Sequence, residues 1–440
     1  MGRPTLFPFG GCALHGAIQA AAAIPGVTPV VHSTPGCALR AGLFAGGGRY
    51  GAPPGLPRIA ATNMADKHVV FGGTSRLREE MKNALAVLEG GMLAVLTGCP
   101  AEMIGDDVGA MVKELTAQGE RVVAVQTAGF HGPAHDGHAR LLAGLLAHVA
   151  PVPTRADRPL VNLFGIAPGL DPGWLAEIET LSRLLEGVGL AANPIFGPEG
   201  GLASLDASAG AALSLVLSPW GAAPAEVLAA RHGIPVLVAD GLPVGAEAAE
   251  ALVRRLSDRL GHPLDAAAEG YLARERAHQG WRFDAVLERL AALAPRRVVV
   301  ADGSLRAGPL ARFLGETLGW PVRVILTDSP PEAFRAPLAR TGVACAGDGA
   351  DLARALSESG ADLLLGGASA AAVAAARGLD VVDLGAAPGL EGLGGGLSGR
   401  GGAERVFAAL LSALEPAPRA ASVFPIPAAV PSAPFARVAE

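Results

Sequence analysis

Lysine is almost missing from this chain: Lys67, Lys82 and Lys113 are the whole complement. The arginines are scattered and the formal net charge is −6, so there is no basic stripe for a phosphate backbone, and no nucleic-acid partner is expected. Aromatics make up only 4% and charged residues 17%, yet 50% of the residues are hydrophobic. That balance belongs to a packed globular chain and excludes intrinsic disorder. Uninterrupted apolar runs of about 18 residues, the length a membrane helix needs, are also lacking. The run 17–31 is broken by Gln19, Pro25, Gly26, Thr28 and Pro29, so no membrane association is expected. The N-terminus shows no basic region followed by an apolar block, which argues against a Sec signal and for a cytoplasmic protein. Cysteine occurs only at Cys12, Cys37, Cys99 and Cys345. In a large cytoplasmic chain these are expected to be thiols or metal ligands, not structural disulfides.

What is present is a rhythm. From about residue 91 short apolar runs alternate with amphipathic stretches, and 440 residues are too many for one ordinary core. The runs 92–96, 121–126, 160–166, 211–217, 235–239, 297–301, 322–326, 343–346, 362–366 and 381–384 read as strands buried on both faces of parallel sheets. Helical stretches at 173–187, 222–232, 246–260, 281–293 and 350–360 lie between them, giving the βαβ pattern of doubly wound domains. Prolines interrupt the pattern at 150–159, and a long helical region gives way to a strand near 294–296. The expected fold class is therefore α/β: three Rossmann-like domains with parallel sheets and a short extended C-terminal tail. Their expected bounds are 1–155, which carries Cys12, Cys37 and Cys99, then 156–294 and 295–415, with a Pro/Ala-rich tail at 416–440.

Three cysteines share a setting. Cys12 lies in Gly10-Gly11-Cys12-Ala13-Leu14-His15-Gly16, Cys37 in His32-Ser33-Thr34-Pro35-Gly36-Cys37, and Cys99 in Thr97-Gly98-Cys99-Pro100. Each is expected in a loop at a strand end or near a helix start, where backbone N–H groups can face negative charge and neighbouring glycines admit a bulky group. Thiolates are the usual ligands of iron–sulfur clusters. Three per chain fall short of the usual set for a cubane, so a partner chain or another atom must complete it. The spacing alone leaves ordinary buried cysteines as an equal reading, because no compact CxxC signature is present.

The surrounding residues resemble the nitrogenase component 1 family. The blocks that carry the resemblance are His32-Ser33-Thr34-Pro35-Gly36-Cys37, Asn63-Met64, Val70-Phe71-Gly72-Gly73, the helical stretch 77–88, and Cys99-Pro100-Ala101-Glu102-Met103-Ile104-Gly105-Asp106-Asp107-Val108, in that order. They cover roughly the first third of the chain. The resemblance implies a β-type subunit paired with an α-type subunit in an α2β2 heterotetramer. By it, Cys12, Cys37 and Cys99 would bind an iron–sulfur cluster shared with the partner, either an [8Fe-7S] P-cluster or a [4Fe-4S] cluster. It also implies a transient ATP-hydrolysing iron–sulfur reductase component that delivers electrons, and an active-site cofactor held by the α-type subunit. No cysteine lies between Cys99 and Cys345, and Cys345 sits in an expected strand, so by the same resemblance the chain departs from the α-type pattern and is β-like. On this reading it is part of a nitrogenase-like oxidoreductase acting on methylthio-alkanes (C–S cleavage) or dinitrogen. The alternative is a β-like scaffold subunit on which a cofactor precursor matures. A dark-operative tetrapyrrole reductase subunit is a third reading; the resemblance would then imply a non-cysteine fourth ligand and an extra C-terminal domain, and neither is evident.

Several other features are expected to be structural. Asp106 and Asp107 stand where carboxylates cap helices. His131, His135 and His138 have helical spacing, but Gly132, Pro133 and Gly137 argue against a regular helix and hence against a metal site there. The loop 394–402, with Arg400, is glycine-rich but lacks a phosphate-binding fingerprint, and is assigned to packing.

Overall fold

The structure, a computed structural model, describes residues 9–45, 59–88, 90–151, 157–292, 296–335, 342–385 and 395–414. The expected tail at 416–440 lies outside them. Three wholly parallel sheets follow one another along the chain. The first has the order β2-β1-β3-β4, from Val27–His32 (β1), Ala60–Ala61 (β2), Met92–Thr97 (β3) and Val122–Gln126 (β4). The second has the order β6-β5-β7-β8, from Leu160–Phe164 (β5), Ala191–Asn193 (β6), Leu213–Val216 (β7) and Val236–Val238 (β8). The third has the order β11-β10-β9-β12-β13, from Val298–Asp302 (β9), Val322–Leu326 (β10), Val343–Cys345 (β11), Leu363–Gly366 (β12) and Asp380–Asp383 (β13). All ten expected strands are present, and the fold class is α/β as read.

Three strands went unread, each for a local reason. β1 contains Pro29, which lacks an N–H and argues against a central strand. Yet Val31 O accepts from Thr62 N on the β2 side and His32 O from Gly98 N on the β3 side, so Pro29, two residues before Val31, faces β2. β2 begins only opposite Val30, so the missing N–H lies just before the first paired residue on that side. β2 and β6, with two and three residues, are too short to show a period.

The first sheet organises the site. β1 and β3 are buried along their whole length, as strands covered on both faces must be. On one face Leu77, Met81, Leu93, Val95, Val108 and Met111 form a compact core. They bring together the helices Thr74–Val87 (α4) and Val108–Ala117 (α6), each preceded in the chain by a short helix, Asp66–Phe71 (α3) and Cys99–Ile104 (α5). The opposite face is covered by Ala13–Ala22 (α1), Pro35–Ala45 (α2) and Ala134–Leu146 (α7).

α7 corrects an expectation. Gly137 does not break this helix; it lets α7 touch α1 backbone to backbone. A Cβ on Gly137 would sit 1.7 Å from Ala13 O, and one on Gly16 would sit 1.8 Å from Ala134 O. The two glycines thus form a reciprocal notch. The helix read at 281–293 is likewise the end of a continuous helix, Ala266–Ala291, against which the C-terminal helix Gly399–Leu414 packs.

Between the second and third sheets the strand ends meet in a buried polar cluster. Asp328 accepts from Trp220 Nε1 at 2.7 Å, Ser304 N at 2.8 Å and Ser304 Oγ at 2.8 Å. Arg306 pairs with Asp302 at 3.3 Å and donates to Leu384 O. Asp171 accepts from Ala167 N, and burial pushes its carboxyl from 3.8 up to about 8, with Asp328 and Asp302 adding to the rise. A raised carboxyl binds its proton more tightly in the folded state. Its contribution to stability is therefore complete below about pH 4 and drains away as pH climbs towards 8. Asp171→Asn is expected to gain on the wild type in melting temperature between pH 5 and pH 8.5. A constant difference between the two melting curves across that range would contradict the assignment.

Candidate functional site

The switch point of the first sheet lies between β1 and β3, where ligands of open α/β sheets bind beyond the strand ends. Cys37 follows β1 in the first turn of α2, and Cys99 follows β3 as the first residue of α5. Cys12 reaches the same edge from another direction. It is the N-cap of α1, bridged to Pro133 ahead of α7, and the α1–α7 notch fixes its position. The three expected residues are thus brought to one edge of one sheet.

The space between the thiols is shaped by a residue that sequence reading passed over. A Cβ on Gly129, in the turn after β4, would lie 3.3 Å from Cys99 Sγ and 3.5 Å from Cys12 Sγ. The Gly129 N–H donates to Cys99 Sγ at 3.1 Å. Glycine here supplies an N–H and leaves the gap between two sulfurs open. Cys12 Sγ lies 3.2 Å from His15 Nδ1. Burial, with the Arg40 charge, holds His15 down at about 4, so this imidazole is neutral. The Cys12 thiol is pushed up, first by burial; N–H groups of His15 and Leu14 oppose this, and the Cys37 and Cys99 thiols reinforce it. All three cysteines are free and partly exposed. Among the described residues no group of Cys, His, Asp or Glu closes on a single-ion site.

The order of these blocks in the sequence now has a physical reason. The Asp106 carboxylate, almost fully buried, accepts from Gly73 N at 2.9 Å and meets His32 Nε2 at 2.9 Å. Thr74 Oγ1 also reaches it. Burial pushes His32 down against the pull of Asp106. One carboxylate therefore ties the Cys37 loop, the Phe-Gly-Gly turn and the Cys99 segment together. Asp107 caps α6, accepting from Ala110 N. The expectation that both aspartates act at helix starts agrees with these contacts.

The histidines divide. His131 pairs with Glu102 at 2.6 Å in the turn beside Cys99. His135 stacks on Trp220 and His138 packs against Phe196 inside the molecule, where burial drives His138 down to about 3. They form no common metal site. Cys345 lies on the edge strand β11 of the third sheet, near Arg335. In the described part of the glycine-rich loop, 395–402, the N–H groups of Leu397 and Ser398 are taken by the buried Glu177 carboxylate, so the loop serves packing as read.

Around the thiols the surface is unusually apolar. Leu39 on α2, Val70 and Phe71 on α3, Met103 on α5 and Phe130 beside Gly129 are all well exposed, with Phe71 at 88%. α3 packs against α5, which joins these side chains to the edge that carries Cys99. Exposed apolar area of this kind marks an interaction surface. No helix among the described residues is long and apolar enough to cross a membrane.

A fold of three parallel sheets with a thiol-lined edge on the first defines the class: residues 12–395 match the family model for nitrogenase component 1 type oxidoreductases, and the chain belongs to that family. Within it, the similarity is to beta chains. The nitrogenase molybdenum-iron protein beta chain of Bradyrhizobium diazoefficiens is 29% identical over 353 residues, 73% of this chain and 65% of that one. The corresponding beta chain of Clostridium pasteurianum is 23% identical over 389 residues, 80% of each chain. That of Frankia alni is 31% identical over 199 residues, 42% of this chain and 36% of its own. The matches thus span less than two thirds of the Bradyrhizobium and Frankia chains. A solved structure entitled "Nitrogenase Cp1 at pH 6.5" shares the fold, with a TM-score of 0.75, 21% identity and 94% of both chains covered.

Proposed function

We propose that this chain is the β-type half of an α/β pair, and that Cys12, Cys37 and Cys99 supply its side of an iron–sulfur cluster shared across the subunit interface. The observation that carries the reading is the thiol edge itself: three partly exposed sulfurs around a glycine-lined gap, ringed by exposed apolar side chains. The residues fit such a group in three respects. Thiolates are its preferred donors. The missing side chain of Gly129 leaves room between Cys12 and Cys99, and its N–H faces a sulfur. The apolar rim gives a partner a surface to bury, which would seal the edge from water.

When bound, the cluster, of [8Fe-7S] or [4Fe-4S] type, would supply one-electron storage at the interface. The chain's own part is to hold and insulate. Asp106 fixes the two strand-end loops relative to each other, Gly129 N–H withdraws charge from Cys99 Sγ, and the neutral His15 abuts Cys12 without adding charge. The wider assignment follows: electrons arrive from a transient ATP-hydrolysing iron–sulfur reductase component and pass to the active-site cofactor of an α-type partner in an α2β2 assembly. Dinitrogen and methylthio-alkanes are the substrates to try first.

The test is anaerobic co-purification with the partner chain, followed by iron counting and EPR on the wild type and Cys99→Ala. Loss of the interface signal with the partner's cofactor retained is the expected result. Unchanged iron and an unchanged spectrum in Cys99→Ala would remove the cluster assignment.

A further inference from the structure

Glu102 sits one helical turn after Cys99, so both belong to α5. Its carboxylate is nearly buried, with a side-chain exposure of 9%. Its contacts join the end of β3 to the turn that carries Gly129. Oε1 accepts from Thr97 Oγ1 at 2.5 Å, at the end of β3, and from Ala128 N at 3.0 Å, at the start of the turn. Oε2 meets His131 Nε2 at 2.6 Å, at the end of the turn. Thr127 Oγ1 donates to Thr97 O at 2.9 Å and continues the seam between the two loops. The stretch 128–131 is therefore gripped at both ends by one carboxylate, and Gly129 lies between the grips. Gly129 has no side chain of its own with which to hold position, and its N–H points at Cys99 Sγ only while the turn is held.

The geometry points to Glu102 as a positioning residue for the thiol edge: it holds the 128–131 turn so that the Gly129 N–H bonds Cys99 Sγ, and through that bond it sets the reduction potential of the group the thiols hold. Hydrogen bonds to ligand sulfur are among the determinants of iron–sulfur potentials, because they draw charge from the sulfur and favour the reduced, more negative state. A carboxylate that never touches the sulfur would thus act on it through one backbone N–H. Burial works against the charged form of Glu102, and the bonds from Thr97, Ala128 and His131 outweigh it, so the ionised acceptor that the grip needs is maintained. This inference rests on the interface-cluster reading above.

The experiment is an EPR-monitored redox titration of the co-purified complex carrying wild-type chain, Glu102→Ala or Glu102→Gln, with iron counted in each. Glu102→Ala frees both ends of the turn, and the midpoint potential is expected to fall. Glu102→Gln keeps an oxygen for Thr97 and Ala128 and a polar amide within reach of His131 Nε2, so it is expected to return close to wild type. Asp107→Ala, which uncaps α6 next door without touching Glu102, is expected to lower the melting temperature and leave the potential unchanged. A wild-type potential in an iron-replete Glu102→Ala complex overturns the inference and leaves the cluster reading intact. A wild-type complex without interface iron overturns both. If Glu102→Ala assembles no cluster, Glu102→Asp decides. It keeps the charge but is one methylene too short to hold Ala128 and His131 together, so a lowered potential supports the inference and an unchanged one overturns it.

Discussion

Gly137→Ala is expected to lower the melting temperature by roughly 10 °C or more, an effect out of proportion to one methyl group. Overpacking a core typically costs about 1–3 kcal/mol because side chains can rotate away. Here the new Cβ would meet Ala13 O at 1.7 Å and Ala13 C at 2.5 Å, which are backbone atoms of a facing helix. No rotamer change relieves that contact, so α1 must lift from α7 along its length, and the cost should lie above the usual range. At about 2–4 °C per kcal/mol for a chain unit of this size, the drop follows. The displacement also lands on the site, since Cys12 is the N-cap of α1 and bridges to Pro133 just ahead of α7. Gly36→Ala is the matched control. It lies near Cys37, a Cβ there meets nothing within 4 Å, and its melting temperature should stay within a degree or two of wild type. Equal melting temperatures for the two variants would show that the α1–α7 contact is looser than these distances state.

The same glycine shows where a sequence stops being legible. Apolar periodicity revealed the ten strands after residue 91 because each is long enough to show a run and ends in turn residues. It could not distinguish a glycine that ends a helix from one that lets two helices touch, since that depends on what faces it. Gly137 and Gly16 lie far apart in sequence, and only the packed structure pairs them. Pro29 is a similar case. It argues against a strand until the partner strand proves to begin one residue later. His135 and His138 have metal-site spacing but are held inside by Trp220 and Phe196, which lie in the second unit of the fold and could not be assigned to them in advance.

At the site, the cysteines were legible and their surroundings were not. Thiols in glycine-rich loops at strand ends can be read directly, and the blocks around them carry the resemblance. The reason for those blocks, one Asp106 carboxylate shared by His32, Gly73 and Thr74, needed the loops brought together. The roles of Glu102, which stands in one of those blocks, and of Gly129 were not legible for a related reason. Gly129 acts through its backbone N–H, which has no sequence signature, and the partners of Glu102 across the turn appear only once the two loops meet. The exposed apolar rim was hidden too, because Val70, Phe71 and Met103 look like core residues until their exposure is known.

Gly129→Val is expected to abolish the interface iron while leaving the chain folded. Cys99→Ala removes a ligand; this variant keeps every ligand and fills the space they surround. The first carbon of the valine would already stand 3.3 Å from Cys99 Sγ and 3.5 Å from Cys12 Sγ, and its two methyl groups extend further into the gap. The backbone tolerates the change, because Gly129 is not among the glycines with positive φ and its N–H is kept. The atoms nearest the new carbon belong to the two cysteine side chains, so the melting temperature of the isolated chain should move by no more than a few degrees. Iron in the co-purified complex should fall to the content of the partner's own cofactor, with Gly129→Ala lying between. Full iron in Gly129→Val would mean that the gap between Cys12 and Cys99 holds nothing, and the three cysteines would return to being a core that happens to face an interface. Iron lost together with the fold would mean that the turn is a structural support and that its closeness to sulfur is incidental. Only loss of iron from a folded chain fits a cavity kept open for a bulky inorganic group. For that reason the variant separates the readings more sharply than removing any one thiol.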